Sequence, residues 1–264
     1  VLDDLDFDVR PRRPRRFRRG IYVLPSMFTV ANLFCGYACV VYAMRGDFQT
    51  AAPFIGIAIV LDMLDGRIAR LTGTTSAFGL EFDSLADVVS FGLAPAILTF
   101  AWGLSELGRL GWLAGFLFVT AAALRLARFN IQSAGATDKR YFAGMPSPAA
   151  AGVPAATVYA WPYHLVDYRY ALLALAVMLV PALLMVSTIR FRSFKTINLG
   201  WQRSYLSLFV IAAALALVAT EPRITLVVLA YGYLFSAFLE WTIGRLRRRG
   251  TPPPAPAPER TPTT

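Results

Sequence analysis

Charge is scarce in this chain. Of 264 residues only 16% are charged, against 56% hydrophobic, and the mean hydropathy is +0.53. These values exclude an ordinary soluble domain and a disordered chain. Cysteine and histidine are nearly missing as well, with two and one. Cys35 and Cys39 stand one turn apart in an apolar segment and read as small buried residues. With His164 alone near a segment end, they make no zinc set. Acidic residues are outnumbered, 16 to 26, giving a net charge of +10. The arginines gather at the ends of apolar segments and no basic–aromatic groove is evident, so the surplus reads as membrane topology and no nucleic-acid partner is expected.

What the chain does have is apolar runs of roughly 20 residues, each long enough to span a bilayer. The expected fold class is all-α: a polytopic integral membrane helical bundle of about eight transmembrane helices, near 22–44, 50–71, 79–103, 109–132, 148–166, 170–191, 204–220 and 223–245. Odd connections then carry only Arg45, Arg109, Arg169 and Arg223. The other basic residues fall mostly on even connections and tails, which places both termini in the cytoplasm. Trp102, Trp112, Tyr163 and Tyr168 fall near the outer ends, as an aromatic belt does. Residues 1–20 form a basic tail that includes RPRRPRRFRR and suits anionic lipid head groups. The apolar stretch after it, from about Ile21 to Met44, is longer than a signal core and reads as a retained helix. Residues 21–246 form the membrane domain, and the Pro-rich 247–264 is expected to be disordered.

Against this apolar background four carboxylates stand close together: Asp62, Asp65, Asp83 and Asp87. Helical spacing puts Asp62, Asp65, Gly66 and Ala69 on one face, and Asp83 and Asp87 on one face of the next helix. Two helices meeting at this level would gather four acids in one self-repelling pocket, for which divalent cations with oxygen ligands are the simplest remedy. Arg125, Arg128 and Asn130 fall at the same depth, as do Ser187, Arg190, Arg192 and Lys195. Ionisable groups in or beside spans are costly and usually functional. An ion-coupled transporter also uses intramembrane acids and Pro-interrupted spans, such as the one around Pro146, Pro148, Pro154 and Pro162. Against that reading, the acids gather at one face and no inverted repeat is evident.

The stretch fits D-x2-D-G-x2-A-R-x8-G-x3-D-x3-D without departure, at Asp62, Asp65, Gly66, Ala69, Arg70, Gly79, Asp83 and Asp87. This resembles the signature of the CDP-alcohol phosphotransferase family. Within it, NLFCGY at 32–37, EFDSLADVVSFGLAPA at 81–96, RLARFN at 125–130, FAGMPSPAAA at 142–151 and SFK at 193–195 look like the phosphatidylserine synthase branch. The resemblance implies transfer of a phosphatidyl group from CDP-diacylglycerol to L-serine with release of CMP. Asp62, Asp65, Asp83 and Asp87 would hold two Mg2+ or Mn2+ ions, and Asp87 would be the general base. Thr29, Asn32, Asp62, Gly66, Ala69, Arg70 and Gly79 would meet the CDP moiety. Gly66 and Ala69 lack bulk, and Arg70 can fork onto a phosphate. Arg125, Arg128, Asn130 and Lys195 are candidates for serine or phosphate, although positive-inside anchoring or an acceptor such as glycerol 3-phosphate, inositol phosphate or choline stays open. The resemblance further implies a homodimer among membrane lipids, in a bacterial inner membrane, with the active site facing the cytoplasm.

Overall fold

In a computed structural model, residues 23–72, 77–134, 141–187, 190–192, 212, 216–217 and 219–249 are described. The N-terminal tail, Lys195, most of the expected span 204–220 and residues 250–264 lie outside them; the last helix runs on through Arg249, three residues into the tail expected to be disordered. The described residues are helical apart from turns and one short ribbon. The helices are α1 (Val23–Met44), α2 (Phe48–Thr72), α3 (Ala77–Asp87), α4 (Ala94–Trp102), α5 (Arg109–Ala134), α6 (Ser147–Ala160), α7 (Tyr168–Val186) and α8 (Pro222–Arg249). A wide π segment, Val88–Leu93, joins α3 to α4 without a break.

Among the described residues four stretches are long and apolar enough to cross a bilayer: Met27–Met44, Ala77–Trp102, Arg109–Ile131 and Tyr168–Val186. This is a helical membrane architecture. The other expected spans differ for local reasons. α2 has the length, 25 residues, but Asp62, Asp65, Arg67 and Arg70 occupy its second half. α6 has only 14 residues, about 21 Å of rise against a hydrocarbon core of roughly 30 Å. It stops because Trp161 precedes Pro162, and a residue before proline is pushed out of the α region; Trp161 sits at φ −129°, ψ 77°. Residues after it fold back over α4, where the Trp102 indole donates to Trp161 O and Leu165 N donates to Trp102 O, both at 2.9 Å.

Small residues let the helices close up, since apolar burial alone does not drive association in lipid. Cys35, Cys39 and Ala43 of α1 are buried in the same core as Ala51, Ala52, Ile55 and Ala58 of α2. The connection between the two helices turns at Gly46, φ +76°, and Asp47 Oδ1 accepts from Thr50 N at 3.1 Å, capping α2. Both cysteines are free and buried. α6 is the central post, with Ala150, Ala151, Val153, Pro154, Ala155, Ala156 and Val158 all buried. Outward faces stay apolar, as at Phe34, Tyr37, Phe116 and Leu173, which suits a lipid solvent.

The ribbon departs from the all-helical expectation. β1 (Tyr141–Ala143) pairs antiparallel with β2 (Arg190–Arg192). Gly144 follows at φ +88°, where an added Cβ would collide with Met185 O. Met145 N then donates to Leu184 O at 3.0 Å, satisfying a terminal carbonyl of α7. Gly144→Ala combines a left-handed backbone with a backbone collision, so a loss of about 2 kcal/mol or more is expected. A lowered thermal midpoint in detergent would register it, and a wild-type midpoint would refute it.

Candidate active site

α1 brings two polar side chains to the acids. Thr29 and Asn32, one turn apart, are both buried. The Thr29 hydroxyl donates to Asp65 Oδ2 at 2.5 Å, and Asn32 Nδ2 donates to Asp87 Oδ1 at 3.2 Å. The α1 backbone is locked to the π segment in the same place. Ser90 Oγ donates to Asn32 O at 2.9 Å, and a Cβ on Gly36 would lie 2.6 Å from Ser90 Oγ and 2.8 Å from Ser90 Cα. Glycine is what allows this approach.

The π segment follows from the sequence around it. Pro95 has no N–H to offer the carbonyl four residues back. The Ala94 N–H reaches Val89 O, a five-residue step. The extra residue shifts the phase of the helix by about 100°, so α3 turns Asp83 and Asp87 toward α2 while Ser90, Phe91 and Gly92 are buried among the helices. Such wide turns recur at functional sites.

One carboxylate oxygen each from Asp62, Asp83 and Asp87 lies within 4.8 Å of the others. Asp65 is not in that group. Three residues turn a helix by about 300°, which leaves Asp65 about 60° away from Asp62, and its carboxylate takes the Thr29 hydroxyl from α1. Two buried oxygens here, Asp83 Oδ1 and Asn32 Oδ1, have no hydrogen-bond partner among the described residues. An orphaned carboxylate oxygen in a three-acid group of hard oxygen donors fits a divalent cation.

The remaining candidates divide. Arg125, half-buried on α5, is the positive charge that acts on Asp62 and Asp87. Asn130 Nδ2 donates to Ser84 Oγ at 2.9 Å, tying the end of α5 to α3. Arg128 is exposed, as is Gly66, and Gly79 lies on α3. Ala69 and Arg70 belong to the last turns of α2, but their side chains lie outside the described residues. His164 stands apart from the acids, stacked on Phe48 with its Nε2 4.0 Å from Glu106 Oε1. Sequence reasoning passed over Gly36, Ser90 and Ser147. Their signals were a small residue in NLFCGY, a serine two residues before Gly92, and a serine between Pro146 and Pro148.

A family profile described as CDP-alcohol phosphatidyltransferase matches residues 22–186, a stretch holding all four aspartates and both polar side chains of α1. The chain belongs to that family. Similar proteins include one from Helicobacter pylori named CDP-diacylglycerol–serine O-phosphatidyltransferase, 40% identical over 223 residues, covering 84% of this chain and 92% of the relative. A Mycobacterium leprae protein of the same name is 42% identical over 144 residues, 53% of this chain and 48% of its own. An archaetidylserine synthase from Methanothermobacter thermautotrophicus is 33% identical over 170 residues, 64% and 69% of the two chains. Membership in the CDP-alcohol phosphatidyltransferase family makes this an enzyme site, and the ion-carrier alternative falls away.

Proposed function

We propose that the chain transfers the phosphatidyl group of CDP-diacylglycerol to the hydroxyl of L-serine, giving phosphatidylserine and CMP. The observation that carries the reading is the convergence of Asp62, Asp83 and Asp87, with one buried oxygen left over. The relatives' names supply the acceptor. Asp62, Asp83 and Asp87, with Asp65 nearby on α2, would hold two Mg2+ or Mn2+ ions, and these would supply neutralisation of charge on the phosphates.

The protein's own residues do the rest. Thr29, Asn32, Gly66, Ala69, Arg70 and Gly79 seat the CDP moiety along α1, α2 and α3. Arg125, Arg128, Asn130 and Lys195 are assigned to the serine and phosphate groups. Asp87 accepts the serine hydroxyl proton as that oxygen attacks the lipid-linked phosphorus. The phosphorus–oxygen bond to CMP breaks, and CMP leaves with the electron pair. Asn32 steadies Asp87 through the hydrogen bond its side-chain amide donates to Oδ1, which narrows the rotamers open to the base.

In this reading the chain is an inner-membrane protein of a bacterium, a homodimer among lipids, with eight spans, cytoplasmic termini and a cytoplasmic site. The charge asymmetry of the connections supports that topology. The test is CMP release by the purified protein from CDP-diacylglycerol with Mg2+ or Mn2+, with serine, glycerol 3-phosphate, inositol phosphate and choline supplied separately. Release with serine alone is expected, and chelation with EDTA should abolish it until metal is restored. Release with another acceptor alone would overturn the serine assignment.

A further inference from the structure

We infer that Ser147 is a positioning residue that aims Arg125 at the acidic group of the acceptor, an inference that rests on the transfer reaction proposed above. Ser147 opens α6 and is wholly buried, 0% exposed. Its Oγ accepts from Arg125 Nη1 at 3.0 Å. The guanidinium also lies over the Phe129 ring, 5.3 Å from the centroid, one turn further along α5. A long cationic side chain is thereby held on two sides by uncharged groups.

The choice of partner matters. Arg125 feels Asp62 and Asp87, yet among the described residues it closes no ion pair with either. A guanidinium offers five N–H donors in a rigid fork, a geometry matched to carboxylate and phosphate. Ser147 engages one nitrogen as an uncharged acceptor, so the remaining donors are not tied into a direct ion pair, while Asp87, Asp62 and Tyr233 act on the charge through space. The nucleotide-side residues sit on α1, α2 and α3, whereas Arg125 arrives from α5 beside Asp87, the base that takes the acceptor's proton. The anion that completes Arg125 is therefore the acceptor's carboxylate.

The location of Ser147 is itself built. Gly144 at φ +88° turns the chain against Met185. Met145 N is tied to Leu184 O, and Met145 is fully buried. The strap between ribbon and α6 delivers Ser147 to Arg125 and to no other side chain for which a hydrogen bond is described.

Steady-state kinetics of the full chain, with serine and CDP-diacylglycerol varied in turn, test this. Ser147→Ala should raise KM for serine about tenfold, with kcat and KM for CDP-diacylglycerol within about threefold of wild type. In an Arg125→Gln background the same change should add nothing, because Ser147 acts through Arg125. Ser147→Cys, which fills the same volume with a poorer acceptor, should give an intermediate KM and guards against loss of fold in the alanine variant. An unchanged serine KM, a fall in kcat with both KM values unmoved, or additivity with Arg125→Gln would each overturn the inference. The wild-type acceptor profile judges the parent reading separately. If glycerol 3-phosphate proved to be the acceptor, a tenfold rise in its KM would uphold Ser147 while the serine assignment fell. Choline, lacking an anion, would overturn both.

Discussion

Asp87→Asn is expected to lower kcat about 10³-fold, within the range that a positioned general base contributes. The amide keeps the shape of the side chain, and its carbonyl can still accept from Asn32, which now donates to Asp87 Oδ1. What disappears is the oxygen able to take a proton. Asp62 and Asp83 remain to anchor metal, so CDP-diacylglycerol should still bind in the presence of Mg2+. Turnover and equilibrium binding of the nucleotide lipid, measured on one preparation, check both halves. If binding collapses with turnover, Asp87 is foremost a metal ligand and the proton goes elsewhere.

Gly36→Ala should cost about 10- to 100-fold in kcat while the protein still folds. The added methyl meets Ser90 Oγ at 2.6 Å and Ser90 Cα at 2.8 Å, so α1 must back away from the π segment by several tenths of an ångström. Asn32 sits one turn earlier on the same face and makes two contacts there, at 2.9 and 3.2 Å. Small displacements at a reacting centre carry effects of this size. Ser90→Ala in the same chain removes the contact with Oγ but not the one with Cα, so only part of the loss should return. A Gly36→Ala enzyme with wild-type kcat would show that the α1 contact does not set the geometry of Asp87.

The site was readable where its signal is chemical and local. Acids cannot sit cheaply in an apolar helix, so Asp62, Asp83 and Asp87 announce themselves by residue type and spacing alone. Thr29 and Asn32 were reached only through the family resemblance, which put them at the CDP moiety. Asp65 shows the limit of a face argument. A separation of three residues leaves two side chains near each other but not parallel, and the neighbouring helix decided which way the second one points. Ser147 had no such signal, because its role comes from a strap, a glycine at positive φ and a guanidinium from another helix. The short α6 was partly legible, since Trp161–Pro162 marks a stop in the sequence. Its apolar continuation to Val166 masked that stop when runs were read by composition.

The wide turn between α3 and α4 separates two jobs in one continuous rod. Below it, Asp83 and Asp87 are oriented toward α2; above it, Ala94, Ala96 and Leu98 are buried in the hydrophobic core. With an ordinary α-helical turn the two halves would share one angular register, and any residue chosen for packing above would dictate where the acids point below. The single added residue decouples those choices. The upper half is thus open to drift in size and shape over evolution without rotating the acids, whereas loss of one residue between Val88 and Leu93 would turn them by about 100° relative to α4.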